Sequence, residues 1–149
     1  MASSTLSLEN EVFAKFTFYA GVILLKTVFM SIWTARYRIP RKVFITPEDY
    51  GGNYNKALTT DPDVERVRRA HLNDLENVLP FVLLGFFYVL SGPDAWTATL
   101  LFRLFTGFRI LHTIAYVFVI PQPARGICFL AGFIINVMMA IQIIKAGKY

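Results

Sequence analysis

The sequence predicts an all-α membrane protein, a bundle of four transmembrane helices, and three observations predict it. Hydrophobic residues make up 55% of the 149 residues, which is high for a soluble chain. They gather in four runs, residues 16–35, 75–90, 95–120 and 127–144, each near or beyond the roughly 20 residues that cross about 30 Å of hydrocarbon as a helix. The runs are continuous rather than alternating, so they read as helices, which satisfy their own backbone in lipid. A soluble all-α core would instead need four helices that are apolar all round within one small domain. The length suits one domain spanning 1–149.

The first helix is expected over about residues 10–37, closing in the basic string ARYRIPRK. Glu9 and Glu11 stand where a cleavable signal would carry its basic segment, and the apolar run is too long for one. A polar loop over about 38–61 follows, with Pro40, Pro47 and the Gly51-Gly52 pair as breakers. It is too short for a second domain. The second helix is expected over 62–90, with Asp61 as N-cap and Pro62 at the first helical position. Gly92-Pro93 forces a turn. The third helix is expected over 95–120, broken by Pro121 and Pro123, and the fourth over 124–145. No segment repeats and none is of low complexity.

The net charge of +5 does not point to nucleic acid, because the Lys and Arg residues sit beside or within the apolar runs rather than in a separate basic domain. Seven of the fifteen lie in the long loop and at the start of the second helix, and none in the turn after it. The positive-inside rule therefore puts that loop and the PQPAR turn in the cytosol and both termini on the other side. Cys128, the single cysteine, makes no intrachain disulfide, and its neighbours GICFLAG suggest an inert buried thiol.

Charge also enters the membrane runs. On a helical wheel Arg66, Arg69, Asn73 and Glu76 fall within an arc of roughly 80°, while His71 and Asp74 lie nearly opposite. In the third helix Arg109, His112, Thr113 and Tyr116 share an arc of about 100°. Arg125 opens the fourth helix, and Lys26 sits within the first. A charge in the bilayer costs at least about 2.5–3.5 kcal/mol, so these groups must face each other, water or a ligand. Internal pairing is one solution: Asp74 or Glu76 with Arg109, His112 with Tyr116, and ion pairs that lock the bundle for Asp74, Arg103 and Lys26. It leaves a surplus. Arg66, Arg68, Arg69, Arg103, Arg109 and Arg125 outnumber the carboxylates Asp74 and Glu76. Surplus guanidinium groups imply a small anion with more than one carboxylate, and Glu76 suits an amine on it. Pro80 leaves the Glu76 carbonyl without its usual helical donor.

The segments RKVFITPEDY, DPDVERVRRAHLNDLENVLPF, LSGPD and FRLFTGFRILHTIAY followed by PQPAR resemble the MAPEG family of membrane-associated, glutathione-dependent enzymes, and most of all its glutathione-transferase branch. The resemblance covers nearly the whole chain from Leu8. It implies a homotrimer of four-helix subunits with glutathione, a tripeptide with two carboxylates and one amine, bound between neighbours near the cytosolic face. It implies glutathione as co-substrate, no metal, and lipophilic electrophiles and lipid hydroperoxides as second substrates. By the same resemblance Arg38, Asn73, Glu76, His112, Tyr116 and Arg125 contact glutathione, while Arg69, Arg109 and Thr113 help line the cleft. Arg125 takes the place of the arginine that holds the thiolate and is the expected catalytic residue. The expected location is the endoplasmic reticulum membrane, with the outer mitochondrial membrane as an alternative, and the active site facing the cytosol.

Two departures bear on activity. The family's prostaglandin-synthase branch has a serine after the thiol-holding arginine, an arginine before the asparagine, and a tyrosine where this chain has Phe129. Here the first two places hold Gly126 and Leu72, which favours transferase over isomerase. The transferase branch carries a reactive cysteine after PED, used for activation by thiol reagents; here it is Tyr50. A non-catalytic lipid-binding scaffold is the alternative of a different class, and it would not need the polar set with Arg125. A channel is disfavoured because the polar residues cluster at one end rather than continuing across.

Overall fold

The computed structural model describes residues 5–52 and 60–147. It contains four long helices: α1 (Glu11–Arg41), α2 (Pro62–Leu90), α3 (Ala95–Val117) and α4 (Ala124–Ala146). All four are long and apolar enough to cross a membrane. At 1.5 Å per residue they extend about 46, 43, 35 and 35 Å.

The caps are written in the sequence. The Asn10 side chain accepts the Phe13 amide at 3.0 Å, and Asp61 accepts the amides of Asp63 and Val64 at 2.9 and 3.0 Å. Asp94 accepts the Thr97 amide at 2.8 Å, and that hydrogen bond holds its carboxyl below the usual carboxylate range. Two boundaries differ from the expected ones by more than one residue. α1 runs through Pro40 to Arg41, because a proline this near a C-terminus removes a single hydrogen bond. It ends where Lys42 turns left-handed (φ 53°) and the Val43 amide reaches back to the Arg38 carbonyl at 3.2 Å. α3 stops at Val117 rather than 120. Pro121 disfavours a helical Ile120, and the Ile120 amide closes instead on the Ala115 carbonyl at 2.9 Å.

After α1 the chain makes a short 3-10 turn, Pro47–Tyr50. The Tyr50 hydroxyl accepts the Phe44 amide and donates to the Lys42 carbonyl, each at 2.6 Å, tying the turn to the end of α1. The connection from α2 to α3 uses Gly92 at φ 67°, a conformation that a side chain would strain.

Every pair of helices packs together except α1 with α4, so α2 and α3 form the central pair. The main core is aromatic. The rings of Phe81 and Phe105 stack 3.9 Å apart, and Phe16, Phe102 and Tyr88 surround them at tilted or edge-on angles. A Cβ on Gly85 would overlap the Phe16 ring, so this glycine allows α1 to approach α2. A second, smaller cluster holds Met30, Val67 and Ala70 with Tyr37 and Tyr116. The outer faces carry Phe18, Leu79, Leu83, Phe87 and Ile144 exposed, the arrangement expected of surfaces that meet lipid.

Candidate functional site

The polar residues of α1, α2 and α3 are sorted into two levels. The lower one is a closed layer around Asp74. Asp74 and Arg109 are both 0% exposed. Arg109 Nη2 donates to Asp74 Oδ1 at 2.6 Å, and Lys26 Nζ lies 2.5 Å from Asp74 Oδ2. The Thr113 hydroxyl is 3.4 Å from the same Oδ2 and 3.2 Å from the Arg109 carbonyl. One carboxylate thus joins three helices. Of the internal pairings open to Arg109, the structure selects Asp74 and not Glu76. Lys26 also pairs as a lock, whereas among the described residues Arg103 finds no carboxylate and meets the Tyr19 hydroxyl, its Nε donating at 3.1 Å.

Arg109 Nη2 makes a second bond, to Asn73 Oδ1 at 2.9 Å. α4 closes over this layer. Gly132 faces the Arg109 stem, with room for no more than a methyl group between them, and Asn136 donates to the Asn77 carbonyl at 3.2 Å. Asn77 in turn donates to the Asn73 carbonyl at 2.8 Å. Gly132, Asn77 and Asn136 escape the sequence reading. The available signal is a pair of amides and a glycine inside otherwise bulky apolar runs.

Above the layer lies an open cleft of about 310 Å³ lined by Pro62, Glu65, Arg66, Arg69, Tyr116 and Arg125. Asp61 starts α2 and Pro123 starts α4 at this end, which brings Arg66, Arg69 and Arg125 together. The Arg125 guanidinium sits 4.8 Å from the centre of the Tyr116 ring, and Tyr116 packs against the buried His112 at 5.0 Å. Arg66 is bound by Asp63 at 2.5 Å. Arg69 and Arg125 have no carboxylate partner among the described residues.

Arg38 lines a different cleft of about 300 Å³, with Arg68, Glu65 and residues 43–45. There Arg68 is held by Glu65 at 2.9 Å. Glu76 is exposed and unpaired among the described residues. The nine expected site residues therefore fall into a cleft group (Arg69, Tyr116, Arg125), a group beneath it (Asn73, Arg109, His112, Thr113), and two that stand apart within one subunit (Arg38, Glu76).

Four membrane-length helices, with a charged layer inside and guanidinium groups without a carboxylate among the described residues at one end, define an integral membrane protein. The chain belongs to the MAPEG family, whose profile matches residues 16–145. It is 53% identical to microsomal glutathione S-transferase 1 of Sus scrofa and 51% identical to that of Homo sapiens. Each alignment takes in 100% of this chain and 99% of the relative. Prostaglandin E synthase of Homo sapiens is 33% identical, over 97% of this chain and 95% of that protein.

Proposed function

We propose that the protein is a membrane-bound glutathione transferase that joins glutathione thiolate to lipophilic electrophiles and also reduces lipid hydroperoxides. The observation that carries this reading is Arg125 on Tyr116: a guanidinium without a carboxylate, at the start of α4, in a cleft with a second free arginine. A free thiol titrates near pH 8.5, and its thiolate is the nucleophile. A fixed cation and the helix N-terminus both favour that anion. Arg125 stabilises the thiolate; the proton leaves to water. The sulfur then bonds to the electrophilic carbon, and the leaving group departs with the bonding pair. With a hydroperoxide, two glutathione molecules give the disulfide, an alcohol and water.

Arg69 and Asn73 suit the tripeptide's carboxylates, and Glu76 its amine. His112 and Tyr116 form the wall under Arg125, and the fully buried Arg109 lies with Thr113 in the layer beneath Asn73. Glu76 is exposed on a membrane-length helix, and Arg38 opens into a separate cleft. Both observations support a homotrimer in which a neighbouring copy brings Arg38 to the cleft and covers Glu76. The basic loop supports a cytosolic active site, in the endoplasmic reticulum or the outer mitochondrial membrane. Gly126, Leu72 and Phe129 weigh against prostaglandin isomerisation. The test is conjugation of a chromogenic aryl halide by purified protein, with glutathione binding and thiolate absorbance read on the same sample. No glutathione-dependent rate would leave the lipid-binding scaffold. A detergent-corrected mass of one subunit in an active sample would refute the trimer.

A further inference from the structure

We infer that Asp74 and Arg109 form a relay that fixes which end of the Asn73 side chain faces glutathione, so that both are positioning residues for the substrate. The inference rests on the glutathione reading and specifies it. Arginine offers only donors, so the Asn73 atom against Arg109 Nη2 is its oxygen. Both hydrogens of Nη2 are then committed, one to Asn73 Oδ1 at 2.9 Å and one to Asp74 Oδ1 at 2.6 Å. The Asn73 amide cannot invert without setting its own NH2 against a cation. Its Nδ2 hydrogens are left for the partly exposed face that Asn73 shares with Arg69 and Glu76. There they are donors suited to a carboxylate.

The relay is anchored from every side. Lys26 of α1 takes the other oxygen of Asp74, so the carboxylate cannot swing away from Arg109. α4 passes the Arg109 stem at Gly132, where an added Cβ would stand 3.5 Å from Arg109 Cδ. Arg109 is completely buried, so it acts on the ligand through Asn73 rather than by contact. Its Nε and Nη1 find no acceptor among the described residues.

The test is equilibrium glutathione binding with steady-state conjugation in Asp74→Asn, Asp74→Glu and Arg109→Lys, each made also in an Asn73→Ala background. Asp74→Asn and Arg109→Lys are each expected to weaken glutathione binding about tenfold, as loss of a charged hydrogen bond does. The titration of the bound thiol is expected to stay as in wild type, and Asp74→Glu to recover part of the affinity. In the Asn73→Ala background the losses are expected to vanish. Unchanged affinity in a folded variant overturns the relay, as does an equal loss without Asn73 or a shifted thiol titration. Should Asp74→Asn fail to fold, Arg109→Lys decides, since it keeps a cation on Asp74 and forfeits only the fork. Absence of saturable glutathione binding in wild type would overturn the transferase reading itself, and this inference with it.

Discussion

The two levels of polar residues use the same side chains to opposite ends. In the layer around Asp74, two cations close on one buried carboxylate at 2.5 and 2.6 Å. In the cleft above it, Arg69 and Arg125 have no carboxylate, and Arg125 rests on an aromatic face. Burial of the first set makes its pairing obligatory, because a lone charge there would be uncompensated. Partial exposure of the second lets its guanidinium groups stay unpaired at lower cost. The difference teaches that charge count alone does not find a ligand site in a membrane protein. What finds it is the subset of cations that the protein leaves unanswered.

Breaking the closed layer is expected to give the largest effect. Asp74→Ala leaves Lys26 and Arg109 buried without a counter-charge and is expected to destabilise the protein by about 3–5 kcal/mol, seen as a lower thermal midpoint in detergent. A midpoint within error of wild type would show that the layer is not closed. Next is Glu76→Gln, which is expected to weaken glutathione binding by about 1.5–3 kcal/mol while leaving the thermal midpoint in place. The reverse pattern, normal affinity and a lowered midpoint, would move Glu76 from the open set to the locked one.

A somewhat smaller change is expected from Arg125→Ala. The bound thiol is expected to titrate about 1 to 2 units higher, equal to about 1.4 to 2.7 kcal/mol. Less thiolate is then present at neutral pH, and the rate falls about tenfold, up to about a hundredfold at the larger shift. Arg125→Lys is expected to recover only part, because it lacks the planar fork. An unshifted titration with normal turnover would remove Arg125 from the chemistry and turn attention to His112 or Tyr116. The smallest effect concerns thiol reagents. Tyr50 stands where the transferase branch has its cysteine, so alkylation is expected to bring no gain in rate. Activation that maps to the half-buried Cys128 would tie α4 to the open cleft more tightly than its geometry indicates.

Periodicity and breakers made the helices legible, along with the arc of Arg66, Arg69, Asn73 and Glu76. These are local properties of one helix at a time. The partner of Arg109 was not legible, because Asp74 and Glu76 are both within reach along the chain and the choice depends on how α3 is rotated against α2. Nor was the role of Pro40, since a proline ends a helix or rides its last turn according to the cap beyond it. Lys26 and Asp74 sit far apart in sequence, and a wheel drawn on either helix shows only that each needs something. The separation of Arg38 from Arg125 belongs to the same class of tertiary fact.

The single carboxylate shared by three helices also bears on how the chain is made. Synthesis delivers Lys26 first, then Asp74, then Arg109. When α2 reaches the membrane, its carboxylate finds an ammonium already waiting in α1, and the first hairpin settles into hydrocarbon with that pair neutral. Only Arg109 then enters with an unmatched charge, and it arrives at an acceptor held in place. A chain that delivered the carboxylate last would expose an ammonium and a guanidinium to lipid in turn, each at about 2.5–3.5 kcal/mol or more. The order of the helices along the sequence is thus also an order of charge neutralisation during insertion.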